Sequence, residues 1–178
     1  MNIRNTVTAF GSIARALHWS MALLIVAALA LIELKEWAPK GSAFRAGLRD
    51  WHSQAGLLVL ALVWFRLFWR LVNMEPAIVP PPAAWQRRAA HAVEWTFYAL
   101  MVALPMLGIA MMQADGKTVS LFGSALPPMM AVDKAWAHRL EDVHEWLGNA
   151  MMALMAMHVG ATLLHKFVHR DNTLARMW

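Results

Sequence analysis

The sequence predicts an all-α fold, a four-helix bundle that is integral to a membrane, and two observations carry this prediction. Hydrophobic residues make up 60% of the 178 positions, and the mean hydropathy is +0.44, which is more than a soluble domain usually carries. Four apolar stretches are each about twenty residues long, enough for a helix to cross roughly 30 Å of hydrocarbon. We therefore expect residues 1–178 to form a single transmembrane domain in a lipid bilayer.

The four expected spans cover residues 16–36, 51–71, 92–112 and 142–164. The first stretch is longer than the h-region of a signal peptide, which runs to about 15 residues, so we expect it to be retained as a membrane span. Prolines between the second and third spans cannot continue a helix and predict a stiff linker. Glycines and a Pro-Pro pair predict a loop of about thirty residues between the third and fourth spans.

Charged residues predict how the bundle is oriented. Suppose that the N-terminus, the linker after the second span and the C-terminus share one side. That side carries nine Lys and Arg against three Asp and Glu, whereas the other side carries seven against eight. Basic residues mark the cytoplasmic side of a membrane, so we expect both termini in the cytoplasm. The chain has no basic run, which argues against a nucleic-acid partner.

The chain contains no cysteine. This excludes disulfides, iron–sulfur clusters, thiolate metal sites and the C-x-x-C-H attachment of a c-type haem. A redox centre, if one is present, must therefore use histidine as its main ligand. The eight histidines are the candidate functional residues on these grounds.

The fourth span places two histidines on one helix face. His144 and His158 are 14 residues apart, which corresponds to about 21 Å of helical rise and to about 40° less than four full turns. Both rings therefore face the same side of the helix, one near each membrane surface. His165, seven residues later, stays on that face at the cytoplasmic end.

Two further histidines lie at matching depths on other spans. His18 opens the first span near the cytoplasm, level with His158, and His52 opens the second span near the outer surface, level with His144. Two cross-helix pairs stacked through the membrane are the pattern expected for two bis-histidine b-type haems. Such rings bind iron in the neutral form, and a second-shell acceptor usually holds the other ring nitrogen.

Other interpretations of the buried histidines remain open at this point. A proton relay also uses ionisable groups inside a membrane, but it would need carboxylates in the middle of a span, and the sequence places none there. A histidine-rich ion or metal transporter without haem is the other alternative. The small residues Gly56, Gly148 and Gly160, close to the paired histidines, leave room for a haem edge or for a neighbouring helix.

Four segments of the chain resemble the bacterial cytochrome b561 family, and the resemblance runs in order over nearly the whole length. They read RALHWSMAL, WHSQAGLLVLALVWFRLFWRL, ALPMLGIAM and VHEWLGNAMMALMAMHVGATLLHKFVHRDNTLARM. The resemblance implies four inner-membrane helices that bind two haem b groups. It pairs His18 with His158 at the cytoplasmic side and His52 with His144 at the periplasmic side.

The resemblance further implies electron exchange with ubiquinone. In superoxide oxidases, which are one member type of this family, periplasmic superoxide is oxidised to O₂ and the electrons reach quinone through the haems. His165 matches a histidine near the quinone, although an interfacial histidine bonded to solvent explains it equally well. His91 and Arg88 are weaker candidates for quinone contacts. We expect no obligate protein partner, and the alternative is a haem-bearing membrane anchor of a multi-subunit dehydrogenase or hydrogenase.

Overall fold

A computed structural model describes residues 2–178 and consists mainly of four long helices. Helix α1 covers Ser12–Trp37, α2 covers Ala43–Leu71, α3 covers Ala84–Ala114 and α4 covers Lys134–Leu164. All four are long and apolar enough to cross a membrane, and each expected span lies inside one of them. The all-α membrane bundle predicted from the sequence is therefore confirmed. A single π-turn, His165–His169, continues α4.

Polar caps explain where two of the helices begin. The Ser42 hydroxyl accepts a hydrogen bond from the Arg45 N–H at the start of α2, 3.1 Å away. The Asp133 carboxylate accepts from the N–H groups of Ala135 and Trp136 at 2.9 and 3.0 Å. Such caps satisfy amides that have no partner within the helix. Helix α4 consequently starts at Lys134, ahead of the expected residue 142, because a capped polar turn precedes its apolar part.

Neighbouring helices pack in chain order: α1 lies along α2, α2 against α3, and α3 along α4. The central core is built from buried side chains of all four helices, namely Met21, Val59, Val63, Tyr98, Leu100, Met101 and Met151. Many other large apolar side chains, such as Leu23, Phe65 and Val159, are exposed. Extensive apolar surface of this kind suits a protein whose surroundings are lipid.

The two ends of the bundle differ in construction. At one end, which we call the terminal end, residues 2–11, 72–83 and 170–178 meet. The buried Arg176 guanidinium donates to the Pro76 carbonyl and stacks over the Phe10 ring at 5.5 Å, and the Phe10 N–H donates to the Arg176 carbonyl at 3.0 Å. The other, the hairpin end, consists of residues 38–42 and 115–133. It contains two short antiparallel strands, β1 (Ser120–Leu121) and β2 (Ser124–Ala125).

Candidate functional site

Helices α2 and α4 bring His52 and His144 together towards the hairpin end. Their ring centroids are 6.1 Å apart, with the ring planes at 76°. His52 Nδ1 lies 2.8 Å from the carbonyl oxygen of Ala28 on α1. Because a carbonyl only accepts, Nδ1 carries the proton and Nε2 keeps a free lone pair. This is the tautomer that a histidine needs in order to bind a metal through Nε2.

Helices α1 and α4 bring His18 and His158 together towards the terminal end. Their ring centroids are 6.4 Å apart, with the ring planes at 56°. The ring of Phe97 on α3 meets His158 edge-on at 5.4 Å. The structure thus unites both histidine pairs that helix geometry places at matching depths. Their role as haem ligands stays a prediction.

A cavity of about 1190 Å³ surrounds the pair at the hairpin end, and its lining includes His52, His144, Gly56 and Gly148. A Cβ added at either glycine would meet no atom within 4 Å, so both positions border open space rather than a packed helix contact. Ligand sites in proteins commonly enclose about 300–1,000 Å³. The cavity is therefore large enough for a bulky planar group.

Helix α3 forms the wall behind His144. A Cβ added to Gly108 would lie 3.5 Å from His144 Cε1, an ordinary van der Waals contact, so the ring lies close beside this helix. His144 Nδ1 is buried and forms no hydrogen bond of normal geometry. The carbonyl oxygen of Leu104, one turn earlier on α3, is close enough to interact with it weakly. The Nε2 atom again remains available for a metal.

An arginine inside the second span contacts the pair at the terminal end. Arg66 Nη2 donates to His18 Nδ1 at 3.2 Å. Within residues 2–178, Arg66 forms no ion pair. A neutral ring that binds a metal through Nε2 carries its proton on Nδ1 and cannot also accept there, so metal binding requires Arg66 to turn away from Nδ1. The position of Arg66 inside an apolar span is itself a signal of function that the sequence contains.

The next turn of α2 carries a second arginine, which is fully paired. Arg70 donates two hydrogen bonds to Glu94 on α3, at 2.9 and 2.8 Å. His91 Nδ1 also lies 3.2 Å from Glu94 Oε2. Arg88 is exposed on α3. In the part of the chain that the structure describes, no hydrogen bond joins His91 or Arg88 to His165, so these three quinone candidates do not form one polar cluster.

His165 begins the π-turn and has a partner that the sequence analysis missed. Its Nδ1 lies 2.5 Å from Asp171 Oδ2. Arg170, in the left-handed conformation at φ 52° and ψ 36°, ends the π-turn and reverses the chain. Asp171 therefore returns to the ring six residues later. The one signal of this contact in the sequence is the H-x₅-D spacing of His165 and Asp171.

The charged residues at the mouth of the cavity largely neutralise one another. Lys117 and Lys134 contact the two oxygens of Asp115 at 2.6 and 2.5 Å. Hydrogen bonds from Lys117 and then Lys134 lower the pKa of Asp115 to about 2. Arg45 is paired with Glu36 at 3.2 Å. Most cations near the mouth are therefore not free to attract an anion.

Comparison with known proteins decides the family. The sequence profile of the prokaryotic cytochrome b561 family matches residues 9–178. The chain belongs to this family. The resemblance seen in its motifs is thereby confirmed. As a prokaryotic cytochrome b561, the chain is a multi-pass bacterial membrane protein that binds b-type haem and takes part in membrane electron transfer.

Three relatives illustrate the similarity of this cytochrome b561 to known members. Cytochrome b561 homolog 1 of Escherichia coli K12 is 38% identical over 161 residues, which cover 90% of this chain and 92% of the relative. A probable superoxide oxidase, CybB, from Yersinia pestis is 33% identical over 161 residues and 90% of each chain. Cytochrome b561 homolog 2 of Escherichia coli K12 is 29% identical over 178 residues, covering 99% and 95%. An oxidoreductase role is supported at this level of similarity.

The histidine pairs of this cytochrome b561 fit a haem iron by their spacing. With metal–nitrogen bonds of about 2.0–2.1 Å, as imidazoles form with zinc, and about 1.1 Å from ring atom to centroid, two rings on opposite sides of one metal have centroids about 6.2–6.4 Å apart. The observed distances are 6.1 and 6.4 Å. Four imidazoles without cysteine also match the ligand chemistry of b-type haem.

Proposed function

We propose that this cytochrome b561 carries electrons across the bacterial inner membrane to ubiquinone through two haem b groups, with superoxide as the electron donor. The observation that carries the proposal is the stacking of two histidine pairs along α4, each at a spacing that suits one iron. Residues 1–178 act as a single domain. Each haem, when bound, supplies an iron that can take up and release one electron.

Each pair of histidines has a defined task in this proposal. His52 and His144 hold the haem nearer the hairpin end, and His18 and His158 hold the haem nearer the terminal end. The Ala28 carbonyl orients the His52 ring, and the His144 ring lies beside the backbone of Gly108. Because the two ligands on α4 are separated by about 21 Å of helical rise, electrons cross the bilayer in two steps.

The charge distribution supports an orientation with the terminal end in the cytoplasm. Residues 2–11, 72–83 and 170–178 meet at that end, as the positive-inside grouping requires. The hairpin end then faces the periplasm, where superoxide would donate its electron. The similarity to a relative named as a probable superoxide oxidase supports this donor. Arg49, which is half-exposed and lies 3.9 Å from Asp50, is the least tightly paired arginine lining the cavity.

The quinone site belongs at the terminal end in this proposal. His165 is partly buried there, with 21% of its side chain exposed, and is held by Asp171. His91 and Arg88 are weaker contacts, because His91 is already hydrogen-bonded to Glu94 and Arg88 projects outwards. Both lie at the end of α3 nearer the linker.

The test supplies superoxide to the purified haem-loaded protein together with a ubiquinone analogue, with and without superoxide dismutase. We expect the haem absorbance to show reduction and quinol to accumulate, both abolished by the dismutase. A His144→Ala variant should lose this activity, whereas His138→Ala, a matched removal of an exposed histidine on the same helix, should keep it.

Two outcomes would redirect the proposal. If the haems stay oxidised in superoxide and no quinol forms, superoxide is not the donor, even if the haem content is as proposed. If the haems are then reduced only by a soluble subunit that copurifies with the protein, the chain is the haem-bearing anchor of a larger dehydrogenase or hydrogenase.

A further inference from the structure

Arg66 lies inside the second span and contacts the histidine pair at the terminal end. Its Nη2 is 3.2 Å from His18 Nδ1, and it is close enough to His158 to interact with that ring electrostatically. Within residues 2–178, it takes part in no salt bridge. A cation in an apolar span is costly unless it is paired. A guanidinium at this place therefore points to an anion that comes from outside the chain.

The acids at the terminal end are engaged elsewhere or lie apart from Arg66. Both oxygens of Glu94 accept hydrogen bonds from Arg70, at 2.9 and 2.8 Å. Asp171 is held by a histidine ring beyond the end of α4. Glu75 is exposed in the linker that follows α2. The charge of Arg66 is therefore left uncompensated by the residues that the structure describes.

Three other arginines at this end differ from Arg66 because each has a lasting acceptor. Arg70 donates to a glutamate of α3, Arg176 to a backbone carbonyl of the linker, and Arg15 to a backbone carbonyl of the C-terminal segment. Arg66 donates instead to Nδ1 of His18. That acceptor is lost when His18 binds a metal through Nε2, because Nδ1 then carries a proton. Binding of a metal by His18 therefore releases the guanidinium.

Arg66 and His18 lie at the border between the apolar core and the polar terminal end. On α2, Val63, which is 1% exposed, precedes Arg66 by about one turn and belongs to the central core, whereas Arg70 follows by about one turn. On α1, the core residue Met21 lies about one turn from His18 on the side of the bundle centre. Because a buried charge is unfavourable among apolar groups, an anionic group at this depth is most stable on the side of the two arginines.

We propose that Arg66 binds a propionate of the haem held by His18 and His158, and that this ion pair replaces its contact with His18 Nδ1. The inference rests on the haem assignment in the proposed function. Haem b carries two propionate groups, which are carboxylates at neutral pH. A guanidinium can donate two parallel N–H bonds to a carboxylate. One residue then neutralises the charge of Arg66 in the span and fixes the rotation of the macrocycle about the axis through the two histidines.

The first measurement follows loss of haem from the purified haem-loaded protein to an excess of apomyoglobin. In Arg66→Gln one haem should leave roughly 10- to 100-fold faster than from the wild type, which is the range expected when a hydrogen-bonded charged partner is removed. The other haem should leave at the wild-type rate. Arg87→Gln, the same change at an exposed arginine of the terminal end, should lose haem as the wild type does.

A second measurement identifies the carboxylate itself. Cells supplied with aminolaevulinate that carries a heavy carbon isotope in its carboxyl group incorporate the label into the propionate carboxylates of haem. In redox-induced infrared difference spectra, the propionate bands are then those that the label shifts. These bands should change in Arg66→Gln and change less in Arg66→Lys, whose ammonium binds a carboxylate as a point charge. In Arg87→Gln they should stay as in the wild type.

The possible failures are distinguishable. If the wild type lacks a second haem, or if His158→Ala retains both haems, the haem assignment is wrong and the role of Arg66 falls with it. If the wild type holds two haems and the label-sensitive bands of Arg66→Gln match it, the haem assignment stands and the propionate role is wrong, whatever the rate of haem loss. If Arg66→Gln is isolated without the terminal-end haem, Arg66→Lys carries the comparison, and propionate bands identical to those of the wild type overturn the ion pair.

Discussion

Arg66 should raise the reduction potential of the haem that we assign to His18 and His158. A positive charge nearby favours the ferrous form, which carries one positive charge fewer than the ferric form. Arg66 Nη2 is 3.2 Å from His18 Nδ1, and crossing the imidazole to an iron on Nε2 adds about 4 Å. The guanidinium is therefore about 7 Å from the iron if it stays in place, and farther away once it turns from Nδ1.

Coulomb's law gives the size of the effect. At an effective dielectric constant of about 20, unit charges at about 7 Å interact by about 2.4 kcal/mol, and at about 12 Å by about 1.4 kcal/mol. For a one-electron couple, in which about 59 mV corresponds to a tenfold change in the equilibrium constant, these energies equal about 100 and 60 mV. We expect Arg66→Gln to lower the potential of this haem by about 60–100 mV and to leave the other haem nearly unchanged.

Potentiometric titration of the haem absorbance measures both potentials in one experiment. Arg66→Lys keeps the charge and should restore most of the shift, whereas Arg87→Gln, which removes an exposed arginine at the terminal end, should change either potential by little because solvent screens its charge. A potential that is unchanged in Arg66→Gln, or a shift of the same size in Arg87→Gln, would refute the electrostatic argument.

The hairpin end of the bundle contains His52, Gly108 and Asp115, and each can be tested by one measurement. His52→Ala should halve the haem content, which pyridine haemochrome assays measure, whereas unchanged content would argue against ligation by this ring. Gly108→Ala should be tolerated, because the added Cβ meets His144 Cε1 at 3.5 Å, which is an ordinary contact. Gly108→Leu should displace the His144 ring and reduce the haem content. Equal haem content in the two variants would contradict the packing of this ring against α3. The contacts of Asp115 with its two lysines should persist from neutral pH down to about pH 4 and be lost as the pH falls towards 2. The reason is that a folded-state pKa lowered to about 2 gives a stabilisation that is complete above the unfolded-state pKa and disappears as the pH falls through the folded-state pKa. Hydrogen exchange of the 115–133 loop that already accelerates near pH 6 would contradict this.

The helices, their order and the depth of each histidine could be predicted from the sequence, because these features depend on local regularities. A hydrophobic stretch of sufficient length predicts a span, and a fixed rise and rotation per residue place His144 and His158 on one face at opposite depths. The pairing of these residues with His52 and His18 needed only the alternation of span direction. The start of α4 escaped this reasoning, because the Asp133 cap extends the helix through polar residues outside the membrane.

The sequence by itself thus determined a four-helix membrane protein with two pairs of histidines at matching depths, and its motifs led to the family that the comparisons confirmed. Only the tertiary structure decided which groups surround those rings. The contact of Arg66 with His18, the support of His52 by Ala28 and the dyad of His165 with Asp171 depend on helix rotation and on a chain reversal after α4. These arise from packing between segments, so no local pattern in the chain specifies them.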